Sequence, residues 1–308
     1  MSSGQVRIET HHPSAARRLG HWLRNPWGRP RFLWAVAISY MAWSLLPVAI
    51  AVLFSFNSTR SLTSWQGFST QWYVGNVSSV RDDPVLLAAL TQSLKLAVLT
   101  VLIAVPLGVT FALALDRWRG RGSGTANFVM LFSFITPEIA IGVALFLFFV
   151  QVAEGIGPGF TAQVMGLSMF MMAYPVIVVR ARLLSIGKEY EEAAMDLGAS
   201  PLESLRRVLL PLLAPAIFAS AVIVFAASID NFVISQQLSV GADTQTVPIL
   251  IYSSARRGPL PSLNALASLT LFASTLLIAV AALAYRRRAR AQRAIEHTVW
   301  PLQSPLGT

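Results

Sequence analysis

Six long apolar runs, separated by short polar turns, constrain this chain more than any other feature. The first, Phe32 to Phe54, is 23 residues long. As a helix it reaches about 34 Å, enough to cross the hydrocarbon core of a bilayer. Further runs lie at Val85–Leu115, Ala126–Val150, Gln163–Val179, Leu212–Gln236 and Leu263–Tyr285. No water reaches the bilayer core, so each backbone N–H and C=O there needs a partner within the protein. Runs of this length and composition therefore predict helices. The expectation is an all-α integral membrane protein of six spans. Residues 1–31 form a basic N-terminal tail, 32–285 the six-span domain with a cytoplasmic loop at 186–211, and 286–308 a basic C-terminal tail.

Charge sets the orientation. Charged residues make up only 12% of the chain against 55% hydrophobic, yet the net charge is +10. Of the 24 lysines and arginines, 19 fall before the first run, at Arg117–Arg121, between Arg180 and Arg207, or after Tyr285. These stretches share one side of a six-span topology. The positive-inside rule explains that asymmetry without a nucleic-acid partner and predicts that both termini are cytoplasmic. The first run is too long for a signal peptide and ends without a small-residue cleavage site, so it reads as an uncleaved anchor.

Residue types exclude most chemistry. There is no cysteine, and the four histidines, His11, His12, His21 and His297, all lie in the tails. That leaves no zinc set and no base for a Ser/His/Asp arrangement within the spans. The two lysines, Lys95 and Lys188, sit in no phosphate-cradling glycine loop. No catalytic residue, metal site or bound cofactor is expected, and the chain reads as a transporter component rather than an enzyme.

One polar island carries a pattern of its own, Glu189 to Ala216. Tyr190–Leu197 reads as a short helix that Gly198 can end, since glycine enters the left-handed conformation without steric cost. Ser200-Pro201-Leu202-Glu203 then restarts a helix, with Ser200 as N-cap, Pro201 at the first position and Glu203 closing a capping box. Residue signals alone also allow a plain capped connection. The spacing adds more: Glu192-Ala193-Ala194, Gly198 after three residues, and Val208-Leu209-Leu210-Pro211 after nine. This resembles the EAA signature of ATP-binding-cassette (ABC) importer permeases, with Val208 where isoleucine is usual. The resemblance implies the type I importer permease fold. It makes this loop the coupling helix that docks in a cytoplasmic ATPase, with Glu192, Ala193, Ala194, Gly198, Leu210 and Pro211 as coupling residues.

Two acids interrupt apolar runs, Glu138 after Pro137 and Asp230 before Asn231. An acid at a helix centre costs about 2.5–3.5 kcal/mol on insertion scales, so it faces a cavity, a partner or another helix. The residues leave structural bonding and a cation path both open. In a cation path the carboxylates would pair with ammonium groups, Asn231 would orient the acid or bond substrate, and aromatic faces such as Trp65 or Tyr73 would add cation–π attraction. Three phrases resemble the C-type permease subunits of spermidine and putrescine importers. They are Trp65-Gln66-Gly67-Phe68-Ser69 with Trp72-Tyr73, Ile229-Asp230-Asn231-Phe232-Val233-Ile234-Ser235, and Val247-Pro248-Ile249-Leu250-Ile251-Tyr252-Ser253 followed by Arg257-Gly258 and Asn264-Ala265-Leu266-Ala267. Permeases for opines, aminoethylphosphonate, thiamine or iron share parts of them.

The resemblance implies a substrate path through Glu138, Asp230, Asn231 and Trp65 in a bacterial inner membrane. Its implied partners are a second permease subunit, two ATPase subunits that hold ATP and Mg, a periplasmic binding protein, and lipid. The rival reading is a secondary transporter or channel that uses Glu138 and Asp230 as a cation relay. That reading gives no role to Glu189–Pro211.

Overall fold

The structure, a computed structural model, describes residues 31–61, 63–118, 120, 122–255 and 260–299; for 31, 32, 131, 133, 134 and 288–299 it describes the backbone only. Helices dominate, and the described residues contain no strand beyond one isolated bridge, Asn57 with Phe68. The chain divides into two units at Ala51 and Val52. Within the first, helix α1 (Arg31–Phe54, which runs on into the second unit) exposes every side chain from Leu33 to Ile50. A helix that is apolar all round and exposed suits lipid contact.

The second unit holds the core. Helix α2 (Pro84–Arg117) starts where Asp83 Oδ1 accepts the N–H of Val85 at 2.8 Å. Its buried stripe includes Leu96, Ala97, Thr100, Ala104, Gly108, Ala112 and Leu115. The third expected span is not continuous. It forms α3 (Ser123–Ile135) and α4 (Glu138–Gln151), parted at Thr136 and Pro137. Proline lacks an N–H and pushes the residue before it to extended backbone, and Thr136 has ψ 134°. Glu138 is therefore the first residue of α4, not a mid-helix residue.

The fourth span is α5 (Phe160–Met171) followed by α6 (Ala173–Ile186). Pro175 sits in the first turn of α6, where its missing N–H costs nothing, so the break falls at Met172 and the helix runs past Val179 to Ile186. Gly108 lets α2 meet α6 at backbone distance: a Cβ there would lie 2.9 Å from the Met172 carbonyl oxygen and 2.4 Å from Pro175 Cγ.

Next come α7 (Glu189–Asp196), the single turn α8 (Pro201–Ser204), a π-turn at Leu205–Leu209, and α9 (Leu210–Ile229). The fifth span was expected to continue to Gln236, but α9 stops at Ile229. Asp230, Asn231 and Phe232 form a break before the short α10 (Val233–Gln237). A 3₁₀ turn (Ala242–Thr244) and α11 (Val247–Ala255) occupy the segment between the fifth and sixth expected spans. Helix α12 (Pro261–Val299) continues beyond Tyr285 into the expected C-terminal tail. Arg256, Arg257 and Gly258 lie outside the described residues.

Leu96, Leu167, Met171, Val176, Leu213, Ile234 and Leu238 form the main core, joining α2, α5, α6, α9 and the α10 region. A second cluster packs Trp72, Val80 and Leu86 with Val247, Leu250, Leu263 and Leu266. Five described helical stretches are long and apolar enough to span a membrane: α1, α2, α5 with α6, α8 through α9, and α12. The interrupted pair α3 and α4 supplies the sixth expected crossing.

Candidate functional site

The loop after α6 is built by local bonds. Gly198 has φ +90° and donates to the Met195 carbonyl at 2.9 Å, while Ala199 N–H reaches the Ala194 carbonyl at 3.0 Å. These bonds close the end of α7 and reverse the chain. The capping box is complete: Ser200 N–H donates to Glu203 Oε2 at 3.0 Å, and Glu203 N–H to Ser200 Oγ at 3.4 Å. Glu192 and Ala193 are exposed and Ala194 half-exposed. Leu197 is 90% exposed, and Tyr190 and Leu202 are exposed with it. Leu210, half-buried, and Pro211, exposed, open α9 behind the π-turn.

A bond with no local sequence signal ties this loop to the bundle. Arg117, in the last turn of α2, forms an ion pair with Glu191 of α7. Their separation of 74 positions hides it from any short motif.

The second site lies at the two helix breaks. Asn231 is 7% exposed and its Nδ2 donates to Glu138 Oε1. Asn231 Oδ1 accepts from Ser235 N–H at 3.2 Å and from Ser235 Oγ at 3.3 Å. Those donors fix the amide orientation, because only the NH₂ side is left to face a carboxylate. Glu138 is half-exposed, and its Oε2 accepts no hydrogen bond from a described residue. The first turn of α4 also suits an acid, since its N–H groups lack intrahelical partners.

Asp230 is exposed, and its carboxylate forms no hydrogen bond or ion pair with a described residue. The structure thus joins Glu138 to Asn231 rather than to Asp230. Glycine brings the elements close: a Cβ at Gly142 of α4 would lie 3.1 Å from Gln237 Cγ in α10.

Sequence reasoning missed Gln163, which it used only as the start of a span. Its side chain is fully buried on α5. Nε2 donates to the carbonyls of Ser235 at 2.9 Å and Thr244 at 3.0 Å, and Oε1 accepts from Gln92 Nε2 at 3.3 Å. A lone amide inside an apolar run was the available signal.

Trp65 stands apart from both groups. It is 44% exposed and packs edge-on against Phe54, with ring centroids 6.4 Å apart. No hydrogen bond or ring contact joins it to Glu138, Asp230 or Asn231 among the described residues. Trp72 is the anchored tryptophan, buried to 2% and donating Nε1–H to the Asn57 carbonyl at 2.6 Å. Tyr73 stacks on Phe56 at 4.9 Å and shares a hydrogen bond of 2.6 Å with Ser55.

Residues 104–293 match the profile of the binding-protein-dependent transport system inner membrane component. The chain belongs to this family. The permease is 36% identical over 245 residues to the putrescine transport system permease protein PotI of Escherichia coli K12, covering 77% of this chain and 85% of PotI. It is 33% identical over 249 residues to the spermidine/putrescine permease PotC of the same strain, covering 81% of this chain and 92% of PotC. The Haemophilus influenzae PotC is 31% identical over 246 residues, 80% of this chain and 93% of that protein.

Among solved structures, a bacterial ABC transporter that imports the acidic polysaccharide alginate superposes with a TM-score of 0.66. It covers 88% of this chain and 99% of its own, at 16% identity. The methionine ABC transporter MetNI, in an inward-facing form, gives 0.52 over 67% and 93% at 18% identity. These likenesses establish the type I importer permease fold. The permease is a multi-pass membrane transport component of an ABC importer.

Proposed function

We propose that this permease carries a polyamine such as putrescine or spermidine into the cytoplasm, with Glu138 as the carboxylate that meets the ammonium group. The observation that carries this reading is the Glu138–Asn231 pair at the facing helix breaks. One carboxylate oxygen is held and the other is left for a ligand, within a bundle that would otherwise charge heavily for an acid. The names of the PotI and PotC relatives support the same substrate class.

Asp230, exposed one residue away, adds negative charge to the approach, and Asn231 holds Glu138 in place. Trp65 belongs to the segment between α1 and α2, which reads as an outer loop, and acts at substrate entry. A periplasmic binding protein delivers the cation, and a second permease subunit completes the path. ATP and Mg bind to two partner ATPase subunits, since this chain has no phosphate-cradling loop. Closure of the ATPases moves the loop around Glu192 and Gly198, and Leu210 and Pro211 pass that motion into α9. The arginine distribution supports cytoplasmic termini, with the spans in a bacterial inner membrane.

The test is uptake of labelled putrescine and spermidine by proteoliposomes holding the complete importer, with and without internal ATP and binding protein. Uptake that needs both supports the reading. ATP hydrolysis stimulated by the binding protein without polyamine uptake moves the substrate to the opine, aminoethylphosphonate, thiamine or iron group. Uptake without ATP favours the secondary transporter.

A further inference from the structure

The Gln163 amide lies behind the proposed cation contact, where it reaches no ligand. It is fully buried, yet all of its bonds serve chain segments far away in sequence, at separations of 71, 72 and 81 positions. One of those bonds ends on Ser235, the residue that holds Asn231. We propose that Gln163 is a positioning residue for the Glu138 carboxylate: by fixing Ser235 at the middle of α10, it sets Asn231 and so aims Glu138 at the cation. This inference rests on the reading of Glu138 given above.

Helix α10 has five residues, too few to hold its shape unaided. Its final carbonyls lack intrahelical donors. Gln163 Nε2 supplies one to Ser235 and ties the Thr244 carbonyl of the next turn to the same point. On the opposite side of the same residue, at the middle of α10, Ser235 N–H and Oγ donate to Asn231 Oδ1. The path is continuous: Gln92, Gln163, Ser235, Asn231, Glu138.

The fit on either side leaves α10 little room. A Cβ at Gly166, one turn beyond Gln163, would lie 2.9 Å from Leu238 Cδ1 and 3.1 Å from Leu145 Cδ1. On the α4 side, Gly142 is as close to Gln237. A shift at Gln163 therefore moves Ser235 rather than being absorbed by empty space.

The experiment uses the complete importer in proteoliposomes. Gln163→Met keeps an unbranched chain of similar volume and removes the amide. It is expected to raise the putrescine KM about tenfold while maximal ATP hydrolysis stays within about twofold. In a Glu138→Gln background, Gln163→Met should add less than about twofold, because the two residues act through one path. Effects that multiply, or an unchanged KM, overturn the proposal. Should Gln163→Met fail to assemble, Ser235→Ala removes only the hydroxyl bond to Asn231 and should raise KM about threefold; no change overturns the proposal.

A second arm does not depend on the substrate. This chain has no cysteine, so Gln236→Cys, at an exposed position of α10, is its single target for a membrane-impermeant maleimide, read on this subunit after separation from its partners. Gln163→Met should speed that labelling about tenfold, as α10 loses its tie. If the wild-type importer moves no polyamine, the substrate reading fails, and this arm still decides whether Gln163 fixes α10. An unchanged labelling rate overturns the positioning role.

Discussion

The loop between α7 and α8 and the break beside Asn231 are both turns between helices, but they are held in opposite ways. Gly198, Ala199, Ser200 and Glu203 are tied to residues three to five positions away. Asn231 is tied to Glu138 across 93 positions, and the Ser235 carbonyl to Gln163 across 72. A locally bonded loop can move as a unit without unmaking its own bonds, which suits a part that transmits motion. A break held by distant side chains keeps its shape only while the bundle is packed, which suits a part that must present one geometry to a ligand. Arg117 and Glu191 are the exception, a distant bond on the local loop, and they join the two designs at the end of α2.

The sharpest way to break this contrast is at the acids. Hydrogen bonds to charged groups contribute about 1.5–3 kcal/mol, or about 10- to 150-fold in affinity. Glu138→Gln is expected to raise the putrescine KM by that factor, while Asp230→Asn raises it less than about threefold because Asp230 is exposed and unbonded. Uptake kinetics at fixed binding-protein concentration check both. A larger loss from Asp230→Asn would make Asp230 the ligand contact and Asn231 its neighbour only.

Gly198 tests the local side. Its φ of +90° costs a β-branched residue about 1–2 kcal/mol, and open space surrounds its Cβ position, so the penalty is purely backbone. Gly198→Val should lower ATP-dependent uptake several-fold (about five- to thirtyfold for that energy) and leave membrane insertion intact. Gly198→Asn should lose less, since asparagine tolerates this region. Quantifying uptake against subunit level in the membrane separates the two. Equal uptake by Gly198→Val and wild type would remove the turn from the coupling path.

The same contrast explains what the sequence could disclose. Glycine, capping box and charge spacing act within a few residues, so Glu192–Pro211 was legible down to the Ser200–Glu203 bonds. Apolar runs act over one helix, so the crossings were legible too. Their interruptions were not. Pro137 was visible, but that it would place Glu138 at the first position of α4 depends on where α3 ends. The stop at Ile229 has no proline or glycine to announce it; Asn231 makes the break stable by bonds to α4 and within α10. Gln163 and Gln92 meet only after α2 and α5 pack. Trp65 was grouped with the acids because its phrase matched a family, and a phrase carries no distance.

Ser200→Ala removes a cap, which costs about 1 kcal/mol and acts on α8 alone. It should lower the thermal midpoint of ATPase association slightly and leave the putrescine KM unchanged. Association measured by co-purification across a temperature series would show it. A changed KM would mean that the two regions are not separable.

The smallest effect is expected outside the membrane, in another locally bonded turn. The Ser79 hydroxyl donates to Asp82 Oδ2 at 2.7 Å and the Gly75 N–H at 3.2 Å. These bonds, with Arg81 nearby, hold the Asp82 carboxyl below its ordinary range. A lowered carboxylate adds stability above its unfolded pKa and loses it as pH falls through the folded value. The turn before α2 should therefore stay protected at neutral pH and loosen only in acid, whereas Asp82→Asn should loosen it at neutral pH and flatten the pH response. Protection factors of the Gly75 amide at about pH 7 and about pH 3 measure both. Because every bond in this turn is local, Glu138-dependent uptake should not change with Asp82→Asn. A parallel loss of uptake would show that the outer loop is coupled to α4 and α10 through packing, and would erase the line between the local and the distant design.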